Sequence, residues 1–181
     1  MTDAYKNIDK EIQSQSEQAV ALLQKYCLKI STAESCTGGM LSSTITSVSG
    51  ASQVFELGVV SYSDRIKNQV LSVPADTLEK HGAISPQAAV YLAKNVQELA
   101  NADIGVSITG NAGPTASENK AVGLVYIAIA DKETYSVKAL NLSSYLSREE
   151  IRKHSVLSAL NIVNDYLNNQ LADMKQLADF E

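Results

Sequence analysis

The sequence predicts an α/β fold: a three-layer α/β/α sandwich built around a mixed sheet. Three observations point there. Helix-period and strand-period apolar patterns alternate along most of the chain, as they do when helices cover both faces of a largely parallel sheet. Two consecutive strand patterns at 123–130 and 134–142 break the alternation and add an antiparallel hairpin, which makes the sheet mixed. At 181 residues and 45% hydrophobic, the chain can bury one substantial core, and nothing in it requires a second.

Each element has a local reason. Residues 4–26 carry Ile8, Ile12, Ala19, Leu22 and Leu23 at helical spacing among polar residues. A β-type run over 28–33 then gives way to a small-residue turn and a helix from about Gly38 to Ser47. Residues 54–62 (VFELGVVSY) are rich in β-formers. Ser63 or Asp64 caps a short helix, and a turn at Val73-Pro74 leads to another over 75–80. Ser85-Pro86 is a strong start signal, with serine as cap and proline at the first helical position, for a helix running to residue 100. A strand over 103–109 ends in the loop 110–114, and the polar segment 115–121 reads as mobile. The hairpin turns across Asp131-Lys132-Glu133. Ser147 and Glu150 form a capping box for a helix to about Asn168. One domain therefore spans 1–168, with a polar, weakly helical tail over 169–181.

Composition narrows the function classes. A formal charge of −5 argues against nucleic acid and against an anionic membrane surface, though one arginine and a few amides suffice for a local phosphate site. No apolar run approaches the ~20 residues a membrane span needs. Cys27 and Cys36 form no metal-ligand cluster with His81 and His154, so a cytoplasmic setting with free thiols and no metal is expected.

The stretch from Leu28 to Leu41, LKISTAESCTGGML, carries the densest chemistry. Strand, tight turn and helix start is a layout in which backbone N–H groups point into a cleft. Ser35 there is either a turn-capping hydroxyl or a nucleophile whose oxyanion meets amides near Thr37, Gly38 and Gly39. Cys36 is a second candidate nucleophile or a buried thiol. Glu34 holds a substrate hydroxyl or an amine, or caps the turn. Neither histidine has the context of a base. Tyr62 at a strand end and Lys67 one turn into the next helix fit better: a cation near a helix N-terminus, if partly buried, has a lowered pKa and can act as a general base. The alternative is a solvated lysine. Thr109 and Gly110 end a strand where α/β sheets gather ligand groups. Arg148 and Arg152, four apart on one helix face, either clamp a phosphate or pair with Glu149.

Six segments, in this order, resemble one family: TAESCTGG (32–39), GVVSYSDRIK (58–67), LEKHGAIS (78–85), ITGNAGP (108–114), VGLVYIA (122–128) and the Arg148–Arg152 pair. Together they are similar to the C-terminal domain of the CinA family (competence/damage-inducible protein A). The length fits its stand-alone form, without the N-terminal molybdopterin-binding-like domain of larger members. The resemblance implies a nicotinamide-nucleotide amidohydrolase that converts nicotinamide mononucleotide to nicotinate mononucleotide and ammonia, with no metal or cofactor. It also implies a homo-oligomer, most simply a dimer. By that resemblance Ser35 is the nucleophile, Lys67 the base, Tyr62 its helper, and Thr109, Gly110, Arg148 and Arg152 hold the ribose phosphate. Departures cluster on the presumed substrate side. Asn111 stands where the family has an aliphatic residue, TASENKAVG replaces a longer glycine- and proline-rich loop, and Leu146-Ser147 replaces glycine-aspartate.

Overall fold

The computed structural model describes residues 3–178. The last residues of the expected tail, 179–181, lie outside the described residues. The elements run α1 (Asp3–Lys25), β1 (Ile30–Glu34), α2 (Met40–Thr46), β2 (Phe55–Val60), α3 (Asp64–Leu71), α4 (Ala75–His81), α5 (Pro86–Ala100), β3 (Ile104–Gly110), β4 (Leu124–Ala130), β5 (Tyr135–Asn141) and α6 (Arg148–Ala178). The five strands lie in the order β2-β1-β3-β4-β5. β1 is parallel to both β2 and β3, and β4 is antiparallel to β3 and β5, which gives the mixed sheet expected from the late hairpin.

Strand alternation decides which side chains meet which helices. Along β1, Ile30 joins the core beneath α1 and α6, while Thr32 bonds Ser42 of α2. Ser31 and Ala33 face the other way: Ser31 donates to the Val96 carbonyl of α5, and Ala33 packs with Leu71, Leu92 and Val96. β3 repeats the rule. Val106 and Ile108 enter the larger core, whereas Ser107 donates to Ala89 of α5 and Thr109 to Ala83. Helices α1, α2 and α6 thus cover one face and α3, α4 and α5 the other. Ser35, next in the alternation after Ala33, falls on the α3–α5 side.

Local signals hold at most boundaries. The Ser63 and Ser85 side chains accept from the Ile66 and Ala88 amides, and Ser147 and Glu150 exchange both bonds of the capping box. Two expectations change. Helix α2 starts at Met40 rather than Gly38, because Gly38 and Gly39 adopt φ of +60° and +90°, outside helical backbone. The segment read as mobile is fastened: Ser117 and Lys120 form an isolated bridge, and the Asn111 amide donates to the Lys120 carbonyl. Helix α6 continues to Ala178, through most of the segment read as a weakly helical tail. Among the described residues, no helix is long and apolar enough to cross a membrane.

Candidate active site

A cavity of about 250 Å³ opens where the C-terminal ends of β1 and β3 meet α3 and the start of α6. Its walls include Ser35, Tyr62, Lys67, Thr109, Gly110 and Arg148, six residues singled out from sequence and drawn from four separate segments. Strand ends of parallel pairs are where an α/β sheet leaves room for a ligand.

Ser35 extends β1 by one residue, its amide donating to the Ile108 carbonyl at 2.9 Å, so its backbone is fixed to the sheet. Its hydroxyl has no hydrogen-bond partner among the described residues and is a wall of the cavity. Lys67 reaches the same cavity from α3 and is only 1% exposed, the largest fully buried side chain of the described core. Its ammonium lies 3.4 Å from the Tyr62 carbonyl and 3.6 Å from an Asp64 carboxylate oxygen. Burial holds its pKa below the ordinary 10.5, against the opposing pull of Asp64 and, more weakly, Glu118 and Cys36. This is no solvated surface lysine.

Arg148 connects three parts of the wall. One guanidinium nitrogen donates to the Gly113 carbonyl at 2.6 Å, and the other to the Tyr62 hydroxyl at 3.0 Å. Five N–H donors on a guanidinium leave three for a ligand. The Thr109 hydroxyl is committed to Ala83, so this residue shapes the floor and offers its position rather than a free donor.

Five expected substrate contacts are placed differently. Glu34 is fully buried, and its carboxylate accepts from the Gly39, Leu41 and Ser42 amides and from the Ser42 hydroxyl at 2.6–3.1 Å. A carboxylate at a helix start satisfies orphan N–H groups and the positive end of the helix dipole. Glu34 is therefore the cap of α2 and does not line the cavity. Gly39 has donated its amide to Glu34, and Gly38 has donated to the Ser35 carbonyl, so neither is free for an oxyanion. The Thr37 N–H has no acceptor among the described residues, and the Thr37 hydroxyl is buried without a partner. Arg152 donates to the Thr37 carbonyl at 2.7 Å, behind the turn rather than in the cavity. Neither arginine pairs with Glu149, which meets Lys153 instead.

Cys36 also lines the cavity, but burial pushes its thiol up to about 11, so it is protonated near neutrality and a poor nucleophile. Among the wall residues that were not found from sequence as site members, three carry polar or charged groups that shape the site: Asp64, Asn111 and Glu118. Asp64 carried only a capping signal. Asn111 was noticed as a departure, and in the structure it shapes its own loop: its side-chain oxygen accepts from Gly113 N–H at 2.9 Å while its amide reaches Lys120. Glu118 lay in a stretch without periodicity, which gives no signal of where a side chain ends.

The CinA C-terminal domain model matches residues 12–167. A competence-damage inducible protein of Thermoanaerobacter sp. (strain X514) is 51% identical over 161 residues, 88% of this chain and 38% of that protein. The chain thus spans under two fifths of the length of that curated relative. Among solved structures, the competence/damage inducible protein CihA from Agrobacterium tumefaciens matches with a TM-score of 0.83 at 32% identity, covering 87% of this chain and 96% of that one. A CinA superfamily protein from Klebsiella pneumoniae 700603 matches with a TM-score of 0.84 at 27% identity, over 87% and 98% of the two chains. With the family model spanning most of the described fold, the chain belongs to the CinA family, by its C-terminal domain.

Proposed function

We propose that this domain is an amidohydrolase acting on nicotinamide mononucleotide, releasing ammonia and nicotinate mononucleotide through a serine nucleophile and a lysine base. The observation that carries the reading is the meeting of an unbonded Ser35 hydroxyl and a buried Lys67 in one cavity. A lysine with a depressed pKa spends more of its time as the neutral amine that can accept a proton.

In this reading Lys67 takes the Ser35 proton as Oγ attacks the carboxamide carbon. The carbonyl oxygen gains the negative charge; with Gly38 and Gly39 spent on the turn and Thr37 outside the cavity wall, the uncommitted Cys36 N–H, beside Ser35 in that wall, is the donor available to it. Lys67 then returns the proton to the carboxamide nitrogen, the C–N bond breaks, and ammonia leaves. Water, deprotonated by the same amine, hydrolyses the ester to give the carboxylate and restore Ser35. Tyr62, held by Arg148, flanks the lysine, and the free Arg148 donors take the phosphate.

The test is ammonia release from nicotinamide mononucleotide by the wild type, Ser35→Ala and Lys67→Ala. Turnover in the wild type, reduced on the order of 10³-fold in each variant, is expected. A folded wild type that releases no ammonia sinks this reading. Nucleotide binding without turnover would instead identify a nucleotide-binding module on the same fold.

A further inference from the structure

Four charged side chains line the cavity: Asp64, Lys67, Glu118 and Arg148. Three of them are engaged. Asp64 lies against Lys67, and Arg148 spans Gly113 and Tyr62. Glu118 is different. It comes from the 115–121 segment, on left-handed backbone with φ of +54°, and its carboxylate accepts from the Ile84 amide at 3.1 Å. It makes no ion pair among the described residues. Its carboxylate also lies against Gly82, where any Cβ would collide with it, so the side chain is seated rather than loose.

A lysine acting as a base is neutral, and the cavity wall then carries two carboxylates against one guanidinium. An anionic phosphate satisfies Arg148 and leaves the negative side uncompensated. Nicotinamide mononucleotide carries a second charge of opposite sign, on its pyridinium ring. We infer that Glu118 is a specificity residue that faces this cationic ring and favours it over uncharged rings; the inference rests on the substrate proposed above. The ring charge opposes protonation of the nearby lysine and so offsets the pull of Glu118 toward its charged form.

The experiment measures binding separately from turnover. In a Ser35→Ala background, calorimetry compares nicotinamide mononucleotide with its reduced dihydropyridine form, which keeps the phosphate and loses the ring charge. The oxidised form is expected to bind about fivefold more tightly, the scale of a partly solvated charge pair, and the preference shrinks as salt is raised. Adding Glu118→Gln is expected to abolish the preference while leaving the reduced form's affinity unchanged, since a glutamine oxygen still accepts from Ile84. An unchanged preference, equal weakening of both forms, a salt-insensitive preference, or no binding of either nucleotide overturns the inference. Ammonia release by the Ser35-bearing chain reports on the amidase reading by itself. Release with a preference indifferent to Glu118 removes only the inference, and a Glu118-dependent preference without release removes only the amidase step.

Discussion

The two loops that bound the cavity are fastened by different chemistry. After β1, the serine turn is organised around a charge: the buried Glu34 carboxylate gathers three amides and a hydroxyl from the start of α2. After β3, the loop is organised around a neutral amide, with Asn111 bonding Gly113 on one side and Lys120 on the other. A buried carboxylate is tolerable only when its lone pairs are met, so the first loop has essentially one arrangement. An amide with two bonds holds its loop less stringently. The difference suits the contents: the first loop presents the fixed Ser35 backbone, and the second presents Glu118 and the wall around it.

Removing Glu34 breaks the comparison at its strong end. Glu34→Ala leaves several buried N–H groups without acceptors and should destabilise the fold by about 3 kcal/mol or more, read as a lower midpoint in chemical denaturation. Glu34→Gln, which offers one acceptor oxygen but turns an NH₂ toward the remaining donors, should recover only part of this.

Lys67 lies between the two loops and answers to pH. If its neutral form is the base, ammonia release should fall about tenfold per pH unit below its folded-state pKa and level off above it. Stability follows the same group. Its folded pKa is below the ordinary 10.5, so the unfolded chain holds the proton where the folded one has shed it. The cost of burying the charged form is therefore fully present below the folded pKa and is relieved as pH rises from there toward 10.5. A pH–rate profile without a limb at acid pH would remove Lys67 as the base.

At the weaker loop, Asn111→Ala should cost about 1–2 kcal/mol for the two lost bonds and loosen the position of Glu118. Hydrogen exchange at Gly113, whose N–H donates to Asn111, is the direct measurement. The smallest effect is expected at Gly38, where φ of +60° disfavours any side chain but the nearest atom to an added Cβ, on Arg152, is 3.7 Å away. Gly38→Ala should cost roughly 1 kcal/mol, the strain of a left-handed alanine, with no steric addition.

What could be read from the sequence follows this division. Caps at Ser63, Ser85 and Ser147 are local properties and were legible. So was the association of Ser35, Tyr62 and Lys67, through the resemblance. Illegible were contacts between distant segments: Arg152 with Thr37, Arg148 with Gly113, Glu118 with Ile84. Glu34 stood open between a substrate contact and a cap of the turn, and the structure takes the second. A glutamate beside a reactive serine is chemically apt for a substrate, and only the three-dimensional path of residues 38–42 reveals that the backbone has already claimed it.

Arg148 and Arg152 reach back across 35 and 115 residues to hold the loop after β3 and the turn after β1. On the ribosome, the serine, tyrosine and lysine therefore emerge well before the side chains that complete their enclosure. A nascent chain stopped short of α6 has the reactive groups without the guanidinium wall. Contacts of such long sequence separation carry a larger loop-closure cost, and the wall of the reactive pocket is complete only when α6 is docked.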